Sequence, residues 1–259
     1  MESYIKKGDC LELMKEIPDK AVDMILCDLP YGTTQNPWDS VIPFDKLWNE
    51  YNRIIKDNGA IVLFAQGLFY VDLVNSNRSM FRYDLIWDKV LTSGFLNANR
   101  MPLRSHEQIA VFYKNMPTYN PQKTIGEANH SKGDLTSVHE NNNYGEYVQV
   151  ESDFSGLKNP VSILTFEKTH PSISLHPTQK NVDLLEYLIK TYTNKGETVL
   201  DNCMGSGSTI IACINTNRKY IGFELDDNYF NLAKTRIETR LNTPNIFDFL
   251  MEGDNDGKN

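Results

Sequence analysis

A chain of 259 residues, 40% of them hydrophobic, can bury a complete core, as one large α/β domain or as a core with a small insertion. Its net charge of −8 argues against a protein that grips nucleic acid by bulk positive charge, because phosphate contacts come from Lys and Arg. Met1 to Lys7 carry no apolar run, Ala60 to Val74 is interrupted by Gln66, Gly67 and Asp72, and Cys10, Cys27, Cys203 and Cys213 make no C-x-x-C pair. These features predict a cytoplasmic protein with reduced thiols, no signal peptide, no membrane span and no metal framework.

In chain order, Val22 to Cys27 reads as a buried strand. Phe44 to Ile55 places Leu47, Trp48, Tyr51, Ile54 and Ile55 at helical spacing, and Asp57-Asn58-Gly59 predicts a turn into the strand Ala60 to Phe64. Further strands are predicted at Tyr83 to Trp87 and Gln108 to Tyr113. Over residues 78–104, Arg78, Arg82, Lys89, Arg100 and Arg104 suggest a local basic stripe. Residues 115–175 lose all periodicity and read as an irregular insertion. Regularity returns with a helix Val182 to Tyr192, a strand Glu197 to Leu200, a helix Ser208 to Asn215, a strand Tyr220 to Phe223 and a helix Asn228 to Leu241. Strands alternating with helices are the βαβ pattern of a mostly parallel sheet covered on both faces. The expected divisions are 1–114, 115–175, 176–244 and a frayed acidic tail, 245–259.

The segment Asp201 to Ser208 follows a strand and opens a helix, so Gly205 and Gly207 let the backbone approach a ligand beside free helix N–H groups. Glu224 ends the next strand, where a carboxylate can accept both hydroxyls of a ribose. A third glycine is missing, which argues against a dinucleotide site. Asp201 at the mouth of the loop would repel a pyrophosphate but suits an ammonium or sulfonium, which favours S-adenosylmethionine. Asp28-Leu29-Pro30-Tyr31 directly follows the strand ending at Cys27. An aromatic amine is a poor nucleophile, and the Asp28 carboxylate with the Leu29 carbonyl could accept its N–H bonds and free its lone pair. Pro30 stiffens the turn, and Tyr31 offers a ring on which a flipped base can stack. Taken alone, this motif reads first as a strand-end turn with a buried tyrosine.

Together, Asp28-Leu29-Pro30-Tyr31, Asp201 with Gly205-Ser206-Gly207-Ser208, Phe223-Glu224-Leu225-Asp226 and His176-Pro177-Thr178-Gln179-Lys180 resemble the β-group DNA amino-methyltransferases (N6-adenine/N4-cytosine). The run Asp28 to Asp39 looks like members carried by phages and mobile elements. The resemblance implies a Rossmann-like S-adenosylmethionine-dependent methyltransferase fold: a seven-stranded, mostly parallel sheet with helices on both faces, plus a target-recognition insertion. The strands ending at Cys27 and Leu200 should then be central neighbours. By position it assigns Asp9, Cys10, Asp201, Cys203, Gly205, Ser206, Gly207, Glu224 and Leu225 to the cofactor. His176, Thr178 and Lys180 should close over the methionine end, with Lys180 near its carboxylate. His106-Glu107 is expected to order the sheet edge; Ala110 rules out H-E-x-x-H.

The implied reaction is methylation of the N6 amine of adenine in double-stranded DNA, with the base flipped out of the helix. Asn97, Asn99, Arg100 and Arg104 are candidates for DNA contact. N4-cytosine methylation is the nearest alternative, with Asp rather than Ser at position 28 leaning towards adenine; a non-catalytic nucleic-acid-binding module is more remote. Homodimers and a cognate restriction endonuclease, as in restriction-modification systems, are further implications of the resemblance. Two residues depart from the family: Leu29 stands where Pro is usual, and Asn202-Cys203-Met204 replaces a Pro- and Phe-containing loop.

Overall fold

A computed structural model describes residues 2–33, 39–126, 138–143, 145–148, 156–168 and 180–243. His176, Thr178 and the tail 245–259 lie outside them. The chain divides into two compact units: Met1–Asn120 with Ser162–Asn259, and Pro121–Val161. The second unit falls within the segment 115–175 that composition sets apart.

The first half of the larger unit runs β1 (Tyr4–Lys7), α1 (Cys10–Met14), β2 (Val22–Asp28), α2 (Phe44–Ile54), β3 (Ile55–Ala65), α3 (Gly67–Ser76), β4 (Phe81–Ser93) and β5 (Arg104–Phe112). The smaller unit contributes two antiparallel pairs, β6 (Thr124–Ile125) with β9 (Leu157–Lys158), and β7 (Val138–Asn141) with β8 (Gly145–Val148). The chain then returns through β10 (Ile163–Thr165), α4 (Val182–Tyr192), β11 (Thr198–Asp201), α5 (Ser208–Asn215), β12 (Lys219–Glu224) and α6 (Asp227–Asn242).

The main sheet has the order β1-β12-β11-β2-β3-β5-β4-β10, and only β5 runs antiparallel to its neighbours. β11 and β2 pair in parallel at its centre (Val199↔Met24, Leu200↔Ile25), as expected for the strands that carry the two main motifs. From there β2 leads outward to β3 and β11 leads the other way to β12. Their following loops therefore diverge and leave a crevice, the usual ligand position in an open α/β sheet.

Alternation along the central strands builds a core on each face. Ile25 and Cys27 of β2, with Ile61 and Leu63 of β3, pack on one side with Met14, Tyr51 and Leu73 from α1, α2 and α3. Met24 and Leu26, with Val62 and Phe64, pack on the other side with Leu184 and Leu188 of α4 and Ala212 of α5. Burial on both faces explains why these strands read as continuous apolar runs.

Three expectations change. Among the described residues the sheet has eight strands rather than seven, because β10 adds to the edge beside β4 (Leu164↔Trp87). A three-residue strand with one buried side chain, Leu164, carries no readable period. Asp57-Asn58-Gly59 does not end a helix-to-strand turn but lies inside β3, where the pairing shifts register between Val22↔Ile55 and Met24↔Ala60. A Cβ at Gly59 would stand 2.8 Å from the Asp23 carbonyl oxygen, so the bulge needs a glycine. The basic stripe is not one face either: Lys89 is 3% exposed and points into the protein.

Candidate active site

A cleft of about 410 Å³ opens where β2 and β11 diverge. Its lining includes Asp9, Cys10, Asp28, Leu29, Pro30, Tyr31, Lys180, Asp201, Cys203, Gly205, Ser206, Glu224 and Leu225, brought together from both ends of the sequence. Gly207 stands just behind, at the α5 N-cap with φ 79°. A Cβ there would lie 3.1 Å from Ala233, so close packing of α6 and the left-handed conformation both demand glycine.

On the β11 side, Asp201 is 3% exposed and accepts the Cys203 N–H at 3.1 Å. Burial pushes its carboxyl up to about 6, against the lowering effect of the Thr209 hydroxyl and the Cys203 N–H. Among the described residues no Lys or Arg forms an ion pair with it. Glu224 accepts the Gly205 N–H and the Asp226 N–H, each at 2.8 Å, which ties the end of β12 to the glycine loop. Burial raises its carboxyl as well. Asp9 caps α1 by accepting Leu11 N–H at 2.8 Å, and the Gly8 N–H bonds the Glu224 carbonyl, so this N-terminal turn joins the same wall.

The unusual loop residues have structural work. Asn202 is 1% exposed and accepts the Tyr51 hydroxyl at 2.6 Å, and Met204 packs with Ile210, Ala233 and Ile237. Only a glycine at position 222 leaves room for Met204, whose sulfur lies 2.6 Å from where a Cβ would be. The neighbouring thiols are not activated: burial pushes Cys27 up to about 12, and the Cys203 contact together with burial raises Cys10 as well.

On the β2 side, Asp28 Oδ1 accepts the Tyr31 hydroxyl at 2.7 Å and Oδ2 pairs with Lys180 Nζ at 2.8 Å. Tyr31 stacks on Phe69 with centroids 4.8 Å apart. Asp39, absent from the sequence-based candidates, clamps the loop after the motif by accepting Gly32 N–H at 2.8 Å and Thr33 N–H at 2.9 Å. Leu29 is 3% exposed and joins the α2–α3 side of the core, which accounts for an apolar side chain in place of a proline ring.

Two side chains have partners that the sequence does not reveal. Lys180 was expected at a cofactor carboxylate; its ammonium lies between Asp28 and Glu107, 2.8 Å from each. Glu107 was expected to order a sheet edge, but β5 is internal, between β3 and β4, and Glu107 lines the cleft. Asn97, Asn99 and Arg100 are exposed in the β4–β5 connection, outside the cleft. Arg104 is tied to the rim, donating to Gln66 Oε1 at 2.8 Å.

This architecture is the S-adenosylmethionine-dependent methyltransferase fold. Residues 22–235 match the N6/N4 methyltransferase family model described as DNA methylase, and the chain belongs to that family. Type II methyltransferase M.HpaI of Haemophilus parainfluenzae is 24% identical over 264 residues, spanning 93% of this chain and 76% of that protein. DNA adenine methyltransferase YhdJ of Escherichia coli (strain K12) is 25% identical over 248 residues, spanning 89% and 81%. Among solved structures, PvuII DNA methyltransferase (cytosine-N4-specific) superposes with a TM-score of 0.67 at 16% identity, covering 95% of this chain and 88% of that one. The M1.HpyAVI–SAM complex gives 0.59 at 24% identity, covering 90% and 98%. Among the described residues, no helix is long and apolar enough to cross a membrane.

Proposed function

We propose that this protein transfers a methyl group from S-adenosylmethionine to the N6 amine of an adenine flipped out of double-stranded DNA. The observation that carries the reading is the convergence of Asp28 and the Asp201–Glu224 loop on one cleft. The cofactor's chemistry fits the donor side. Asp201 is a buried carboxylate without a cationic partner among the described residues, suited to an ammonium or sulfonium. Glu224 retains lone-pair capacity for a ribose hydroxyl beyond its backbone bonds.

S-adenosylmethionine supplies an electrophilic methyl group on a sulfonium leaving group. Asp28 accepts one amine N–H through a lone pair left free by Tyr31 and Lys180, and the Leu29 carbonyl accepts the other. Both bonds draw the nitrogen towards a tetrahedral shape and aim its lone pair at the methyl carbon. Methylation would leave the amine one surplus proton, which a carboxylate of the cleft or water would accept. Tyr31, its ring backed by Phe69 and its hydroxyl fixed on Asp28, gives the flipped base a rigid surface.

Asp28 and the relative named a DNA adenine methyltransferase support adenine. A second reading, N4-cytosine, draws on the likeness to a fold whose printed specificity is cytosine-N4. Incubating the protein with labelled cofactor and unmethylated DNA, then digesting to nucleosides for mass spectrometry, should give N6-methyldeoxyadenosine. N4-methyldeoxycytidine would transfer the reading to cytosine, and no label in any DNA would remove it.

A further inference from the structure

Four strands send side chains to one buried ammonium. Asp28 from β2 and Glu107 from β5 each lie 2.8 Å from Lys180 Nζ. The rings of Phe64 from β3 and Trp87 from β4 stand 4.9 and 5.8 Å from the same nitrogen. Glu107 is anchored in turn by Lys89 of β4 at 3.2 Å, and the Lys89 and Lys180 side chains are only 4% and 11% exposed. Two carboxylates and two ammoniums balance in charge. A cofactor carboxylate at Lys180 would compete for N–H groups already directed at Asp28 and Glu107.

We propose that Lys180, anchored by Glu107, is a positioning residue that holds the Asp28 carboxylate ionised and oriented towards the target amine. The proposal rests on the methyl-transfer reading for the role of Asp28. An ionised carboxylate accepts an amine N–H more strongly than a protonated one, and a nearby fixed cation favours the ionised form of a partly buried carboxyl. The electrostatics agree. Burial raises the Asp28 carboxyl, and Lys180 is the strongest opposing influence. Burial also works against the Lys180 ammonium, but Asp28 and Glu107 hold it above the usual lysine range. Burial likewise disfavours the Glu107 carboxylate, yet Lys180 and Lys89 bring it down to about 2. Among the described residues, the other titratable groups facing this cluster are Tyr31, Cys27, Asp201 and Lys168.

The decisive comparison is Lys180→Met with Lys180→Arg in the full chain. Lys180→Met should lower kcat about 100-fold at saturating cofactor and DNA. The acid limb of its pH profile should move up by about one pH unit or more. Its S-adenosylmethionine dissociation constant should stay within about threefold of wild type, which also shows that the variant folds. Lys180→Arg should keep the acid limb in place and recover much of kcat. A tenfold or greater loss of cofactor affinity in Lys180→Met, with kcat unchanged at saturation, would instead give Lys180 to the cofactor and overturn the proposal. Carboxyl-13C titration of Asp28 reads the same effect whether or not the protein is active. It should move to higher pH in Lys180→Met, and an unmoved titration overturns the proposal. A wild-type protein that labels no DNA refutes the methyl-transfer reading, while this titration still decides the role of Lys180.

Discussion

The two walls of the cleft each present an aspartate at the end of a central parallel strand, Asp28 partly buried and Asp201 fully so, yet their partners differ. Asp28, ending β2, has both oxygens engaged, by the Tyr31 hydroxyl and the Lys180 ammonium. Asp201, ending β11, has backbone, hydroxyl and thiol neighbours, and no described cation pairs with it. Burial raises both carboxyls, but only Asp28 has a cation to offset the cost. The difference matches the proposed division of labour. The acceptor side must present an ionised carboxylate to a neutral amine, so its counter-charge belongs to the protein. The donor side meets a positively charged ligand, so its counter-charge can arrive with that ligand.

The contrast can be broken most forcefully at Asp28. Asp28→Ala should reduce methyl transfer on the order of 10³-fold while cofactor affinity, measured by calorimetry, stays near wild type. Loss of affinity comparable to the loss of rate would mean the two walls are not separate. Glu224→Ala should do the reverse, weakening S-adenosylmethionine about 10- to 100-fold, because it removes a charged acceptor for the ribose and leaves the Gly205 and Asp226 N–H groups unmatched.

Asp201 gives a pH test with two opposite signs. Its carboxyl is pushed from the usual 3.8 up to about 6 in the free protein. A bound cation favours the ionised form, so affinity is present above that value and lost as pH falls through it. Cofactor affinity should be about tenfold weaker at pH 5 than at neutral pH, and Asp201→Asn should flatten the dependence. For folding of the free protein the sign reverses. The raised value contributes stability that is present below pH 3.8 and lost as pH rises through about 6. The difference in melting temperature between wild type and Asp201→Asn, followed from pH 4 to 7, should therefore run against the binding trend. Smallest is Arg104→Ala at the rim, which should raise KM for DNA about threefold and reduce its salt dependence by about one phosphate contact, with kcat unchanged.

Much of this arrangement is legible in the chain itself. Val182–Tyr192 and Ser208–Asn215 form helices over the predicted spans, and the strands ending near Cys27 and Leu200 pair at the centre. Continuous apolar runs and a glycine before a helix are local signals, and local signals survive without a structure. The illegible parts depend on pairs distant in sequence. Tyr51 meets Asn202 across 151 positions, and Lys180 meets Glu107 across 73. His106-Glu107 stands out by resemblance as a pair that orders a sheet edge; only the sheet order, with β5 internal, brings Glu107 to the cleft. Asp39 lies beyond a run of polar residues, and its clamp on Gly32 and Thr33 shows no period. The Lys180 motif points to a ligand-binding segment, but the atom its ammonium meets is set by tertiary structure.

The most direct test of methyl transfer at an adenine amine is to sequence, for modified bases, the DNA of a methylation-free host expressing either the wild-type protein or Asp28→Ala. N6-methyladenine at one recurrent sequence with the wild type, absent with Asp28→Ala, is the predicted result. No modified base with the wild type, or the same modification with Asp28→Ala, would contradict it.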